Sequence, residues 1–381
     1  MRRVIPFLAI SALAGYIVFF ALVYALFNKT PITQDKIAFS HMEDEYADRC
    51  LQYEKALLSF VYRAFLKENG EIHTNTIFTS GDGGDTLSES IGLLMEYSVL
   101  KRDKALFDKE FGFLKARMLH ESKLVKWKAG SVEINCNAAI DDLRIVRALL
   151  DAYNLWDEKE YFDTAGFIQH SIYSKQVDNG YLMEFYDWKL GLARKSIPLC
   201  YLDLYTLDRS SIFNEGWGEV VNKGLDIIKN GRINGTSPIF YKYYDYTTGK
   251  YSMDEEYAKE KGVCLVETLY TVIHLAEVNE DTGYFTQWVK GEIGNGRLAA
   301  WYNPYTLKPS KEMENPAVYA LAAVYAKKVG ETELYKAIID KMTSFMVLDK
   351  NSESFGGLGD NITQAFYSFD NLTALWALAC R

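Results

Sequence analysis

Apolar residues recur at helical spacing in about twelve segments of this chain, and the segments come as pairs joined alternately by short and long connections. This alternation constrains the fold more than any other feature. A helix with one apolar side must bury it, and successive helical hairpins do so most simply by closing on one another as a toroid. The segments run at about 42–66, 86–100, 103–120, 138–154, 158–174 and 197–207, then 215–230, 254–278, 281–292, 314–329, 331–346 and 362–379. The long connections, at about 126–137, 180–195, 231–252, 294–310 and 352–364, hold many of the glycines, tyrosines and tryptophans. No fixed-period repeat marks an array, and no composition break marks a boundary within 42–381. The expectation is one all-α domain, six helical hairpins in a ring. Within it, the tyrosine-rich stretch 240–251 alternates and turns like a small β-hairpin.

The domain is preceded by Met1-Arg2-Arg3 and an uncharged run from Val4 to Phe27, long enough as a helix to cross a bilayer. Arginines ahead of the run place the N-terminus inside and the remainder outside. The run is long for a cleaved signal and ends poorly for cleavage, so residues 1–28 read as an uncleaved anchor and 29–41 as a linker. Membrane attachment through this helix is therefore expected, with secretion after cleavage as the alternative.

A net charge of −9 argues against nucleic acid as a partner, because phosphate binding needs a basic surface. Cys50, Cys136, Cys200, Cys264 and Cys380 are scattered through apolar patterns and read as buried thiols. His41, His73, His120, His170 and His274 are equally dispersed, so neither a metal site nor any other cofactor is expected. The 27 tyrosines, 21 phenylalanines and seven tryptophans suit an acidic, aromatic-rich surface that stacks on sugar rings while carboxylates bond hydroxyls.

Three carboxylate positions lie at loop-to-helix edges. Glu89 stands in the first turn of a helix entered from the glycine-rich stretch 81–85. It reads either as a catalytic acid or as the glutamate of a Thr86-x-x-Glu89 capping box. Asp141 and Asp142 open another helix, where they complement its dipole or line a site, and Asp141 can pair with Arg144. Asp245 lies in the tyrosine-rich hairpin, either as a reactive group or as an ordinary turn aspartate.

Together these pieces resemble glycoside hydrolase family 8, whose bacterial endoglucanases and exopolysaccharide hydrolases have an (α/α)6 barrel. Residues 86–95, Thr-Leu-Ser-Glu-Ser-Ile-Gly-Leu-Leu-Met, are similar to the family's T-V-S-E-G-x-G-x-G-M around its general acid. Residues 102–108 resemble the N-D-x-x-x-F-D that follows, and 142–152 resemble its D-A-D-L-x-I-A-x-x-L-L-x-A helix. Weaker likenesses are 197–201 to N-P-S-Y, and Tyr243-Tyr244-Asp245 to the Y-x-Y-D segment that bears the base. Ser90 replaces a glycine, and Ile140 stands where one of two aspartates would be.

The resemblance implies inverting hydrolysis of a β-linked polysaccharide, an exopolysaccharide for a membrane-anchored member, with an exopolysaccharide synthase complex as a further partner. Glu89 would be the acid, Asp245 the base and Asp142 the holder of the reacting sugar, helped by Asp141. In such a pair one carboxylic acid protonates the leaving oxygen while a carboxylate about 6.5–9.5 Å away activates water. Trp127, Trp188, Tyr201, Tyr243 and Tyr244 are candidate subsite walls, each with packing as its plain alternative. If Asp245 points away, Asp187, Asp203 and Asp254 are the nearby substitutes. The two departures also admit a degenerate hydrolase that only binds polysaccharide. A toroidal lyase, which would want a His or Tyr base with Arg or Lys beside a uronate, is less consistent because the histidines are not near the key loops, and an adaptor array lacks its repeat.

Overall fold

The computed structural model describes residues 44–76, 84–132, 134–253, 262–311 and 313–380, which all fall in one compact unit, His41–Arg381. The expected anchor and linker lie outside the described residues. Among the described residues no helix is long and apolar enough to cross a membrane.

Twelve α-helices are present among the described residues: α1 (Asp44–Ala64), α2 (Ser88–Lys101), α3 (Lys104–Phe113), α4 (Ala139–Trp156), α5 (Lys159–Gln176), α6 (Leu204–Arg209), α7 (Trp217–Asn230), α8 (Leu265–Glu277), α9 (Gly283–Gly294), α10 (Pro316–Lys328), α11 (Thr332–Thr343) and α12 (Ser368–Ala379). The even-numbered helices pack in the cyclic order α2, α4, α6, α8, α10, α12 and back to α2, which closes an inner ring. Odd-numbered helices lie outside: α1 on α12, α3 on α2, α5 on α4, α7 on α6, α11 on α10, and α9 against α11. This is the expected six-hairpin toroid.

An inner helix is walled in on every side, so its sequence must be apolar or small all round rather than striped. In α10 every residue from Pro316 to Ala326 is buried, five of them alanines that let neighbouring backbones approach. The start of α10 is fixed by chemistry as well as packing. Pro316 takes the first-turn position, where its missing N–H costs nothing, and Asn315 Oδ1 accepts from Ala317 N at 2.8 Å. An outer helix such as α7 keeps its stripe: Trp217, Val220, Gly224, Ile227 and Ile228 face inward.

The sequence pattern overran the helix starts at three places. Residues 197–207 divide into the strand Ser196–Pro198, the 3-10 turn Leu199–Tyr201 and the short α6. Val263–Cys264 pairs with Trp301–Tyr302 before α8 begins, and Ala365–Phe366 pairs with Gly359–Asp360 before α12. These two- and three-residue strands carry apolar side chains in continuity with the helix they lead into, so periodicity alone cannot separate them. The expected hairpin is present as Tyr243–Asp245 against Lys250–Ser252, and it takes Ser196–Pro198 as a third strand.

Candidate active site

The N-terminal ends of the inner helices meet at one end of the ring, and hydrogen bonds tie them together. Ser88 Oγ at the start of α2 donates to Asp141 Oδ2 at the start of α4, at 2.7 Å. Ser90 Oγ and Ser368 Oγ share a hydrogen bond between α2 and α12 at 3.2 Å. Asn315, which caps α10, bonds Asp370 in the first turn of α12. Carboxylates thus gather where helix dipoles present their positive ends.

Glu89 is the second residue of α2. Its approach is rigid: Thr86–Leu87 pairs with Lys128–Ala129, and Ser88 N donates to Trp127 O at 3.0 Å. The capping-box reading fails, because Leu87 is the cap and makes no side-chain bond, while Thr86 Oγ1 accepts from Ile72 N. Glu89 is therefore not committed to holding its own helix. Burial, and next the charges of Asp141 and Asp370, push its pKa from an ordinary 4.5 to about 7, against the opposing pull of Arg144. A carboxyl that holds its proton near neutrality is what a general acid requires.

Arg144 organises the neighbourhood. It pairs with Asp141 at 3.1 Å, lies 3.9 Å from Glu96, and rests over the Tyr270 ring. Its stem crosses α2 at Gly92, where a Cβ would stand 2.9 Å from Arg144 Cδ, so the second glycine of the motif is a steric requirement. Burial raises Asp370 to about 6, with Asn315 and the Ala317 N–H pulling the other way.

The two adjacent aspartates of α4 part company. Asp141 joins Ser88 and Arg144 beside Glu89. Asp142 has no exposed surface; its Oδ2 accepts from Asn137 Nδ2 at 2.9 Å, and its Oδ1 is buried without a hydrogen-bond partner. Burial raises its pKa strongly. Successive helical residues point about 100° apart, and Asp142, the expected sugar holder, faces the wall toward α5 through Asn137 and Gln176.

Asp245, the expected base, is engaged in its own turn. Its Oδ1 accepts from Thr247 N, Thr247 Oγ1 and Thr248 N at 2.9, 2.6 and 3.0 Å, closing the hairpin turn. These bonds lower its pKa. Of the substitutes, Asp187 Oδ1 caps a turn at Lys189 and Leu190, and Asp203 caps α6 through Thr206; Asp254 lies outside the described residues.

Among the aromatic candidates, Trp127 is 41% exposed and its carbonyl holds Ser88, next to Glu89. The Tyr201 phenol feels the charges of Asp141, Glu184 and Glu89, and its pKa rises with burial. Trp188 stacks on His120 with centroids 4.2 Å apart. Tyr243 lies under Arg194, and Tyr244 packs on Tyr181 and Tyr251 in the hairpin. Sequence reasoning missed Asp370, Tyr270 and Glu184. Only Asp370 carried a signal, an acid in the first turn of an inner helix like Glu89 and Asp141.

Below the acid, Asp203, His274 and Glu277 bring ligand atoms within 4.8 Å of one another. Arg147 and Lys328 both reach Glu277 Oε1 at 2.6 Å, so this cluster is already neutralised by two cations. Ile140 lines the adjoining cavity of about 20 Å³, room for one water.

A ring of helical hairpins with carboxylates gathered at its mouth is the frame of the (α/α)6 glycosidases. The model of glycosyl hydrolases family 8 matches residues 61–260, and the chain belongs to that family. The putative lipoprotein YdaJ of Bacillus subtilis (strain 168) is 32% identical over 325 residues, 84% of each chain. The structure of a novel α-amylase from Clostridium perfringens is 33% identical with a TM-score of 0.80, covering 86% of this chain and 97% of that one. The endo-1,4-D-glucanase of Vibrio fischeri ES114 shares the fold at 15% identity and a TM-score of 0.63, over 84% and 93% of the two chains.

Proposed function

We propose that the protein is an exported, membrane-attached polysaccharide hydrolase in which Glu89 protonates the departing glycosidic oxygen and Asp141, oriented by Arg144 and Ser88, holds the sugar beside it. The observation that carries this reading is the Glu89 carboxyl, unused by its helix and raised to about 7 by burial and by Asp141. A merely binding descendant would have no reason to keep that poise. The two departures from the family motif support the same view. Ser90 has found a partner in Ser368, and Ile140 lines a cavity beneath the site, so neither change removes the acid.

Two linkage readings rest on different observations. Family membership favours a β-linked glycan, such as an exopolysaccharide made at the same membrane by a synthase complex. The 33% identity to a protein described as an α-amylase favours, as a second reading, an α-linked glucan. Export and attachment are supported by the apolar run 4–27 and by the lipoprotein description of the Bacillus relative. The test incubates the purified full chain with an α-1,4-glucan, a mixed-linkage β-glucan and the host's own exopolysaccharide, reading new reducing ends. One of the three is cut by the wild type and spared by Glu89→Gln; equal results for the two proteins on all three refute the proposal.

A further inference from the structure

With Asp245 occupied in its turn, the reaction lacks a group to activate water. The long connection between α5 and α6 supplies one. Glu184 is fixed by its backbone at the mouth of the ring: its carbonyl accepts from Ala139 N, the first N–H of α4, at 3.0 Å, and its own N–H donates to Ser196 O at 3.0 Å. That places it at the same helix end as Asp141, two residues into α4.

Its carboxylate is 13% exposed and lies 3.2 Å from Arg194 Nη1, with Oε2 buried and outside hydrogen-bond geometry. Beside it Lys242 holds Glu267, in the first turn of α8, at 2.9 Å. α8 stands three places from α2 in either direction around the ring, so Glu267 opens the helix opposite the one that carries Glu89. The Tyr201 phenol feels Glu89 and Asp141 as well as Glu184. The other carboxylates have duties elsewhere. Asp142 is sealed in the wall, Asp203 caps α6, and Asp370 is bonded to Asn315 at the start of α10.

We propose that Glu184 is the general base of this enzyme. The assignment rests on the hydrolase reading above. Water attacks the anomeric carbon from the side opposite Glu89; its oxygen bonds to carbon as its proton passes to Glu184. The glycosidic C–O bond breaks, and the Glu89 proton goes to the departing oxygen. Arg194 and Lys242 keep Glu184 ionised, while burial and Glu267 hold its basicity above that of an ordinary glutamate.

The test uses the full chain on whichever glucan the wild type cuts. Glu184→Gln is expected to lose about 10²–10⁴-fold in kcat with little change in KM and no fall in the thermal midpoint. Glu184→Ala, given the matching glycosyl fluoride, should regain turnover with sodium azide and yield the azide of inverted configuration, because a strong nucleophile needs no base. Glu267→Ala should show no such rescue. Glu184→Gln within tenfold of the wild type, or azide rescue of Glu267→Ala alone, overturns the assignment. Absence of wild-type cleavage refutes the hydrolase reading itself, and this assignment with it.

Discussion

Replacing Glu89 by glutamine should abolish turnover and at the same time stabilise the fold, in a manner set by pH. The carboxyl sits at about 7 in the native state and at an ordinary 4.5 in the unfolded chain. Below pH 4.5 both states are protonated, and glutamine, which mimics the neutral acid, changes little. As pH rises past 4.5 the unfolded chain releases its proton while the native state keeps it, so wild-type stability declines. The loss is complete above about 7, and the span corresponds to about 3 kcal/mol. For a cooperative unit of about 340 residues, with about 2 cal/mol/K per residue of unfolding entropy, this is about 4 °C in Tm. The measurement is the Tm of both proteins by calorimetry at several pH values from 4 to 9. Glu89→Gln should match the wild type at the acid end and exceed it by about 4 °C at pH 8. A constant difference across the range, or a variant that melts lower at pH 8, would show that the site does not hold its proton and would undo the argument for Glu89 as acid.

Three further outcomes follow from the same geometry. Asp141→Asn removes a negative neighbour of Glu89, so the alkaline limb of the kcat/KM profile should move to lower pH, read from initial rates between pH 5 and 9. Asp245→Ala should cost about 1 kcal/mol by chemical denaturation through the lost turn bonds, with kcat within a few-fold of the wild type. Gly92→Ala drives a methyl against Arg144, so it should destabilise by about 1–3 kcal/mol and lower kcat through the displaced guanidinium, measured by denaturant unfolding and initial rates.

The helices were legible in the sequence because long periodic segments announce themselves, and Glu89 because a motif surrounds it. What escaped was smaller than the signal. The strand pairs Val263–Cys264 with Trp301–Tyr302 and Ala365–Phe366 with Gly359–Asp360 are two residues each, and their apolar side chains merge with the following helix. The choice between Asp141 and Asp142 turned on a rotation of about 100°, which a first-turn position does not reveal. Asp245 sat in a segment that looks alike whether its aspartate bonds a turn or a water. Glu184 had no local signal at all: it reaches the mouth only because its carbonyl meets the first amide of α4, a contact 45 positions away in sequence from the residue it joins.

Ring closure has a consequence for biosynthesis. The proposed proton donor is made early, at position 89, yet the surroundings that tune it include Asp370, and the seam that seats it is sewn by Ser90 to Ser368 and by Asn75 to Tyr367. A ribosome must deliver almost the whole polypeptide before the last helix can slot in beside the second. Catalytic competence thus arrives in a single late step, and a chain cut short by even its final helix is born without it.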